Sequence, residues 1–348
     1  MEDKKTCVAD LASQKDDKLK FEEKVVGLDF EQNITIDDIL MSFATTGFQA
    51  TNVHKAIQEI KRMRQANARI YLGCTSNMMS CGVREIIKFL AKSKYFEVMV
   101  VTGGGVEEDL IKCMLPTYVG SFDLDGQTLR DNGWNRIGNL VISNDNYAAF
   151  ESWFNKTMDE LISGETEEYP NSKISHRGTK EYTEENPLIL TPSKFVRYLG
   201  KKINNEDSVL YWCYRNNINV YSPAITDGSL GDLLTFYNRK QAFKLDIVED
   251  ITGINFECLG HRENGAIILG GGLVKHHILN GNLFNDGLDY CVIVNTAVEY
   301  DGSDTGASLG EAYSWGKVKS GRTALKVYGD ASVIFPLIVY GAFKSKRL

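Results

Sequence analysis

Six times along this chain a short apolar run stops at a loop of glycine, serine, threonine, asparagine or aspartate, and nothing else in the sequence limits the fold as tightly. ARIYLGC runs into Thr75-Ser76-Asn77, and YFEVMVV into Thr102 to Gly105. INVYSPAI precedes Thr226 to Asp232, and GAIIL precedes Gly270 to Gly272. LDYCVIV leads to the stretch Asn295 to Asp304, and LKVY leads to Gly329 to Ser332. Between the runs lie helical patterns such as SCGVREIIKFLAKSK, with Ile86, Ile87, Leu90 and Ala91 on one face. Continuous apolar strands alternating with helices predict a sheet buried on both sides. The expected fold is therefore α/β and Rossmann-like, with a largely parallel central sheet and helices on both faces.

The same reading places RIGNLVI and FKLDIVED as further strand units, and helices over IDDILMSFATTG and from about Thr51 to Asn67. Residues 1–26 are charged and polar and predict a mobile arm; 27–348 form a single domain of catalytic size. SGETEEYPNSKISHRGTKEYTEENP, 163–187, lacks apolar periodicity and is expected to be an exposed loop. A net charge of −7 argues against nucleic acid and anionic membranes as partners. No signal-peptide core or membrane-length apolar run occurs, and seven scattered cysteines without a CxxC pair suggest reduced thiols in the cytoplasm. Five histidines without a cysteine cluster or HExxH predict no metal.

In open α/β sheets, ligands bind beyond the carboxyl ends of the strands, so the six loops should surround one cleft. Within it, Thr102-Gly103-Gly104-Gly105 allows close backbone approach, and Glu107 and Glu108 suit the helix start that follows. In GGGLVKHHILNGNLF a helix beginning near Leu273 sets His276, Asn280 and Leu283 on one face, either lining a pocket or packed as core, with His277 turned elsewhere. DGSDTGASLGEAYSWGK, 301–317, gathers Asp301, Asp304, Glu311, Trp315 and Lys317. Its ordinary reading is a capping box Ser308-x-x-Glu311, turn aspartates, a core tryptophan and a lysine capping helix carbonyls.

These stretches together, with TTGFQATN, RIGNL, LDIVED, NTAVEYDGSDTGA and DAS, resemble the deoxyhypusine synthase family in the family's order from about Gly27 to Phe343. The resemblance implies an NAD-dependent transferase that moves the 4-aminobutyl group of spermidine to one lysine of the translation initiation factor 5A precursor. It implies that Lys317 carries the butylamine as an enzyme imine and that His276 stands beside the spermidine. Asp232, Asp304 and Glu311 match the polyamine-holding carboxylates; Trp315, Asn280, Leu283, Gly302, Ser303, Glu107 and Glu108 match the rest of that pocket. NAD is implied against Ser76, Asn77, Met78, Met79, Ser80, Thr102, Gly103, Gly104, Glu108, Asp227, Gly271, Thr296, Ala297, Asp330 and Ala331. The family also implies a homotetramer, a dimer of dimers with active sites at interfaces. Three departures stand out: Thr305 for the usual serine, Gly103 where alanine is common, and a longer 163–187 stretch. Homospermidine synthase, which passes the same group to putrescine, and a non-catalytic regulatory subunit are the alternatives; absence of CxxC zinc pairs argues against a sirtuin-like deacylase.

Overall fold

The computed structural model describes residues 22–163, 183–185, 187–238, 242–260 and 262–348. Most of the expected arm and of the 163–187 loop lies outside the described residues.

Six strands form the central sheet: β1 (Arg69–Cys74), β2 (Val98–Val101), β3 (Asn219–Tyr221), β4 (Asn264–Leu269), β5 (Leu288–Asn295) and β6 (Val318–Tyr328). Their order is β6-β5-β4-β1-β2-β3, and every neighbouring pair is parallel. Side chains alternate between faces along a strand, and here both faces are covered. Leu72, Cys74, Met99, Val101, Ile267, Leu269, Val292 and Val294 enter one core, with the helices Phe48–Gln65, Val83–Lys92 and Ala331–Val339. Tyr71, Val98, Val100, Ala266, Ile268, Cys291 and Ile293 enter a second core on the other face, beneath Ile247–Cys258 and Gly272–Gly281. Two-sided burial explains why these strands read as unbroken apolar runs.

Two expected units fall outside this sheet. Trp134–Ile137 and Leu140–Ser143 make an antiparallel hairpin, joined by Tyr118–Val119 in a three-stranded sheet. The two residues Gly138-Asn139 turn it, with Gly138 at φ +61°, a conformation that favours glycine in tight hairpin turns. Phe243–Leu245, within FKLDIVED, pairs only with Leu188–Leu190. The helix expected from Thr51 begins instead at Phe48, directly after Gly47 (φ +95°). Among the described residues, no helix is long and apolar enough to cross a membrane.

Because all six strands run one way, all six Gly/Ser/Thr/Asp loops emerge at one edge. Adjacent loops touch there. A Cβ on Gly104 would lie 3.1 Å from Ser76 Cβ, and one on Gly271 only 2.6 Å from Thr305 Cα. The Asn295 amide donates to Gly270 O (3.0 Å) and Thr305 O (3.1 Å), tying the loops after β4 and β5 together.

Candidate active site

The carboxyl edge forms a cleft with uncommitted polar atoms. Eight buried side-chain atoms among the described residues lack a hydrogen-bond partner, and four belong to this edge: Thr102 Oγ1, Glu108 Oε2, Ser222 Oγ and Asp304 Oδ2. Buried polar atoms are ordinarily paired, so such a concentration marks a place where a ligand supplies the partner. Glu107 has a different position. Its Oε2 accepts the Leu230 N–H at 2.7 Å, at the start of helix Ser229–Tyr237. A Cβ on Gly228 would lie 2.8 Å from both carboxylate oxygens, so only glycine (φ +145°) lets the chain pass. The carboxylate therefore caps a neighbouring helix whose first turn carries Asp232. Asp232 is exposed and borders a cavity of about 700 Å³ lined also by Thr226, Thr235 and Lys244.

Burial, with Glu108 and Asp232 adding like charge, pushes the Glu107 carboxyl up to about 7. The folded chain then holds a proton that the unfolded chain releases near pH 4.5, the ordinary value for glutamate. Stability contributed by that proton is complete below about pH 4.5 and is lost as pH rises through 7. Thermal melts of wild type and Glu107→Gln between pH 4.5 and 8 should diverge, with wild type losing up to about 3 kcal/mol relative to the variant. Parallel melts across this range would refute the assignment.

The remaining residues assigned to the cofactor divide by placement. Ser76, Asn77, Thr296 and Asp227 are open at the edge, and Gly104 lies against Ser76. Asp330 caps helix Ala331–Val339 by accepting the Ser332 N–H at 2.7 Å, while Ala331 is buried. Met79 departs from the expectation: it is completely buried in the first core, so its side chain packs and only its backbone faces the loop. Met78 leans on the same core. Ser80 is buried beside Glu108. Gly103 is hemmed in more tightly than a family with alanine there suggests. A Cβ would sit 2.8, 2.9 and 3.0 Å from the carbonyl oxygens of Ala224, Ile225 and Asp227. Gly103→Ala is expected to cost about 1–3 kcal/mol, visible as a lower melting temperature without any ligand; an unchanged melt would show that the 224–227 loop moves aside freely.

From this edge one helix runs back over the sheet. Helix Gly272–Gly281 presents Leu273, His276 and Asn280 outward, while Val274, Lys275 and Ile278 are buried. His276 is half exposed, not core, and its Nδ1 lies 3.6 Å from Asp304 Oδ1. His277 turns inward, where burial lowers its imidazole to about 4. Further along the stripe, half-buried Leu283 reaches the opposite end, its Cδ2 3.9 Å from a Cβ placed on Gly316. His276 and Leu283 are seven residues apart, roughly 10 Å along a helix. The outward stripe of this helix thus leads from Asp304 at the carboxyl edge toward Gly316, next to Lys317 at the amino end of β6.

Local bonding fixes that far end. Helix Leu309–Ser314 stops when the Gly316 N–H donates to Tyr313 O (3.0 Å) and the Lys317 N–H to Ala312 O (2.9 Å), with Gly316 at φ +69°. This crossed pair is the Schellman ending, and it needs glycine at its left-handed position. The Lys317 carbonyl accepts the Leu288 N–H at 3.0 Å. Both peptide groups are therefore committed, and the side chain is left over. Its Nζ lies 5.8 Å from the centre of the Trp315 ring, within cation–π range. It has no carboxylate partner among the described residues.

The ordinary readings can now be separated. Trp315 is 64% exposed and not core. Ser308 Oγ accepts the Glu311 N–H (3.3 Å), but the Glu311 carboxylate returns no bond, so the capping box is half formed and the acid stays free. Asp301 is a turn residue, accepting the Ser303 N–H at 2.7 Å, with Gly302 at φ +71°. Asp304 is not; one of its oxygens faces His276 and the other is unpaired. Lys275 escaped sequence reasoning. It is 3% exposed, and its ammonium donates to Asp304 O and to Ala307 O (3.3 Å), fastening the acidic loop from beneath. Its position after Val274 in the helical stripe was the available signal.

The fold defines an open α/β protein with six polar loops at the carboxyl edge of its sheet and, away from them, an exposed Trp315 beside a half-buried Lys317. The family model for deoxyhypusine synthase matches residues 38–342. A deoxyhypusine synthase of Encephalitozoon cuniculi is 50% identical over 344 residues, covering 99% of this chain and 97% of that protein. One from Musa acuminata is 45% identical, covering 93% and 88%. A crystal structure described as a deoxyhypusine synthase from Entamoeba histolytica superposes with TM-score 0.64 at 27% identity, covering 92% of this chain and 96% of that one. The chain belongs to the deoxyhypusine synthase family and is a transferase.

Proposed function

We propose that this protein transfers the 4-aminobutyl group of spermidine to a lysine of the translation initiation factor 5A precursor, with NAD as cofactor, as a cytoplasmic homotetramer. The observation that carries the reading is Lys317: a glycine-terminated helix commits its backbone and leaves its amine beside Trp315, without a carboxylate partner among the described residues.

The residues at the carboxyl edge fit NAD: close-approach glycines at 104 and 271, a helix N-terminus at 103, and the unpaired Thr102 and Glu108 oxygens. When bound there, NAD accepts a hydride from spermidine and returns it to the final imine. Asp304, Glu311 and Asp232 hold the polyamine's ammonium groups, which need carboxylates once desolvated. Trp315 adds cation–π attraction of about 0.5–2 kcal/mol. Lys317, as an uncharged amine, adds to the oxidised carbon while 1,3-diaminopropane leaves; the acceptor lysine then displaces Lys317. His276, beside Asp304, moves the protons. The single domain 27–348 carries this chemistry, and the 1–26 arm is positioned in sequence to cover a site entrance.

The test is incubation with NAD and spermidine, borohydride trapping and peptide mass analysis. A butylamine adduct is expected on Lys317, and addition of the protein acceptor should discharge it. An adduct on another residue, or discharge to putrescine in preference to the protein, would overturn the reading.

A further inference from the structure

The helix carrying Glu311 and leading to Trp315 and Lys317 has only six residues, Leu309–Ser314. A helix this short does not hold itself in water. Its apolar anchor is small: Ala312 is buried in the second core, Leu309 packs at that core's border, and Glu311 and Trp315 face out. Something else must set its position to the accuracy that amine capture requires.

Strand β6 is the outermost strand of the central sheet, and among the described residues no strand pairs with its free side. Backbone groups of a strand alternate in direction, and the odd-numbered Gly329 N–H turns to β5, so the groups of the even-numbered Arg322 and Ala324 face the other way. On that outer side, where the Tyr328 N–H also turns to Gln49 Oε1 while the Gly329 N–H bonds Asn295 O of β5, the Tyr313 hydroxyl donates to Arg322 O at 2.5 Å and accepts the Ala324 N–H at 3.2 Å. A residue in a neighbouring parallel strand would make this same pair of bonds, donating to one carbonyl and accepting from the N–H two residues on. We propose that Tyr313 is a positioning residue for Lys317: its hydroxyl takes the place of the next strand on the open edge of β6 and locks the short helix to the sheet. Tyr313 acts through the helix end and does not touch the substrate. The bonds also occupy the stretch of edge at 322–324, which removes a template for pairing with another chain.

This inference rests on Lys317 being the butyl carrier, and two readouts on the full chain keep the claims apart. Hydrogen exchange at the Ala324 amide reports the latch itself. Tyr313→Phe keeps the ring and loses the hydroxyl, so exchange at Ala324 should accelerate about tenfold. The second readout is partition. With NAD and spermidine but no acceptor, hydride passes to NAD and the oxidised carbon is captured by the Lys317 amine or by water. Diaminopropane leaves in either case, giving the trapped adduct or a free four-carbon amino aldehyde. Loose placement of Lys317 should shift the ratio of free aldehyde to adduct about tenfold, while total spermidine cleaved stays within about twofold. Ala324→Pro removes the N–H from the strand side, where an edge position tolerates proline, and should produce the same shift. If Tyr313→Phe fails to fold, that variant decides the matter. Unchanged exchange at Ala324, or faster exchange with an unchanged ratio, would overturn the proposal. A wild-type chain that forms no Lys317 adduct would instead overturn the reading on which it rests.

Discussion

Lys317→Arg should lose butyl transfer by about three orders of magnitude or more, with no trapped adduct, while its melting temperature stays near wild type. Arginine is the informative replacement because it preserves what the structure uses and removes only what the chemistry needs. The Lys317 backbone closes a helix and opens a strand, through bonds to Ala312 and Leu288, and any residue supplies those peptide groups. The side chain makes one contact of note, its ammonium 5.8 Å from the Trp315 ring, and a guanidinium keeps that contact. What arginine cannot do is become an uncharged amine near neutrality. Polyamine binding, measured calorimetrically without turnover, should therefore change by less than about threefold, while capture of the oxidised carbon stops. Retained transfer in Lys317→Arg would mean that the half-buried amine has no chemical part. A large loss of binding with intact transfer chemistry would assign it to recognition alone.

Much of this arrangement was legible in the sequence, for identifiable reasons. The six apolar runs ending in glycine-rich loops became six parallel strands, because runs buried on both faces lack alternation and leave little room for other architectures. RIGNLVI misled as a sheet strand because a short apolar run looks alike in a central strand and a hairpin; the Gly138-Asn139 pair was the discriminating signal. FKLDIVED failed for a related reason, since three residues suffice to pair with Leu188–Leu190 at the margin. In the site, spacing correctly set His276 and Asn280 on one outward face and His277 inward. Spacing gave no hint that Lys317 stands at the amino end of a strand while Asp304 lies beyond the carboxyl end of another. Only the helical stripe between them, touching Asp304 at one end and Gly316 at the other, connects the two. A buried Lys275, a half-buried Lys326 and the Tyr313 latch are equally invisible in sequence, because they act on backbone carbonyls, which carry no residue code.

The largest stability effect is expected from Asp109→Ala, two residues beyond Glu107 on the helix that borders the cleft. Asp109 is fully buried, and its carboxylate accepts from Arg84 Nε (2.8 Å), Ser208 Oγ (2.5 Å), Val209 N (2.9 Å) and Leu210 N (3.0 Å). Arg84 is buried too and donates a second time, to the Asp109 carbonyl at 3.0 Å. One side chain thereby joins helix Gly103–Ile111 to helix Val83–Lys92 and to the first turn of Val209–Arg215, whose backbone N–H groups have no partner within their own helix. Alanine removes the acceptor and leaves a guanidinium and two N–H groups buried without it, which costs about 3–5 kcal/mol. Denaturant unfolding followed by circular dichroism measures the loss. The double variant Arg84→Met/Asp109→Leu also removes the guanidinium and should recover only that share of the loss, since the Val209 and Leu210 N–H groups still lack their acceptor. Function should follow the helix: Glu107 sits one-half turn upstream and caps the helix bearing Asp232, so Asp109→Ala should weaken polyamine binding although Asp109 lies outside the cleft. A loss below about 1 kcal/mol would show that water or a shifted Ser208 replaces the carboxylate, and that the cleft's framework does not depend on this buried junction.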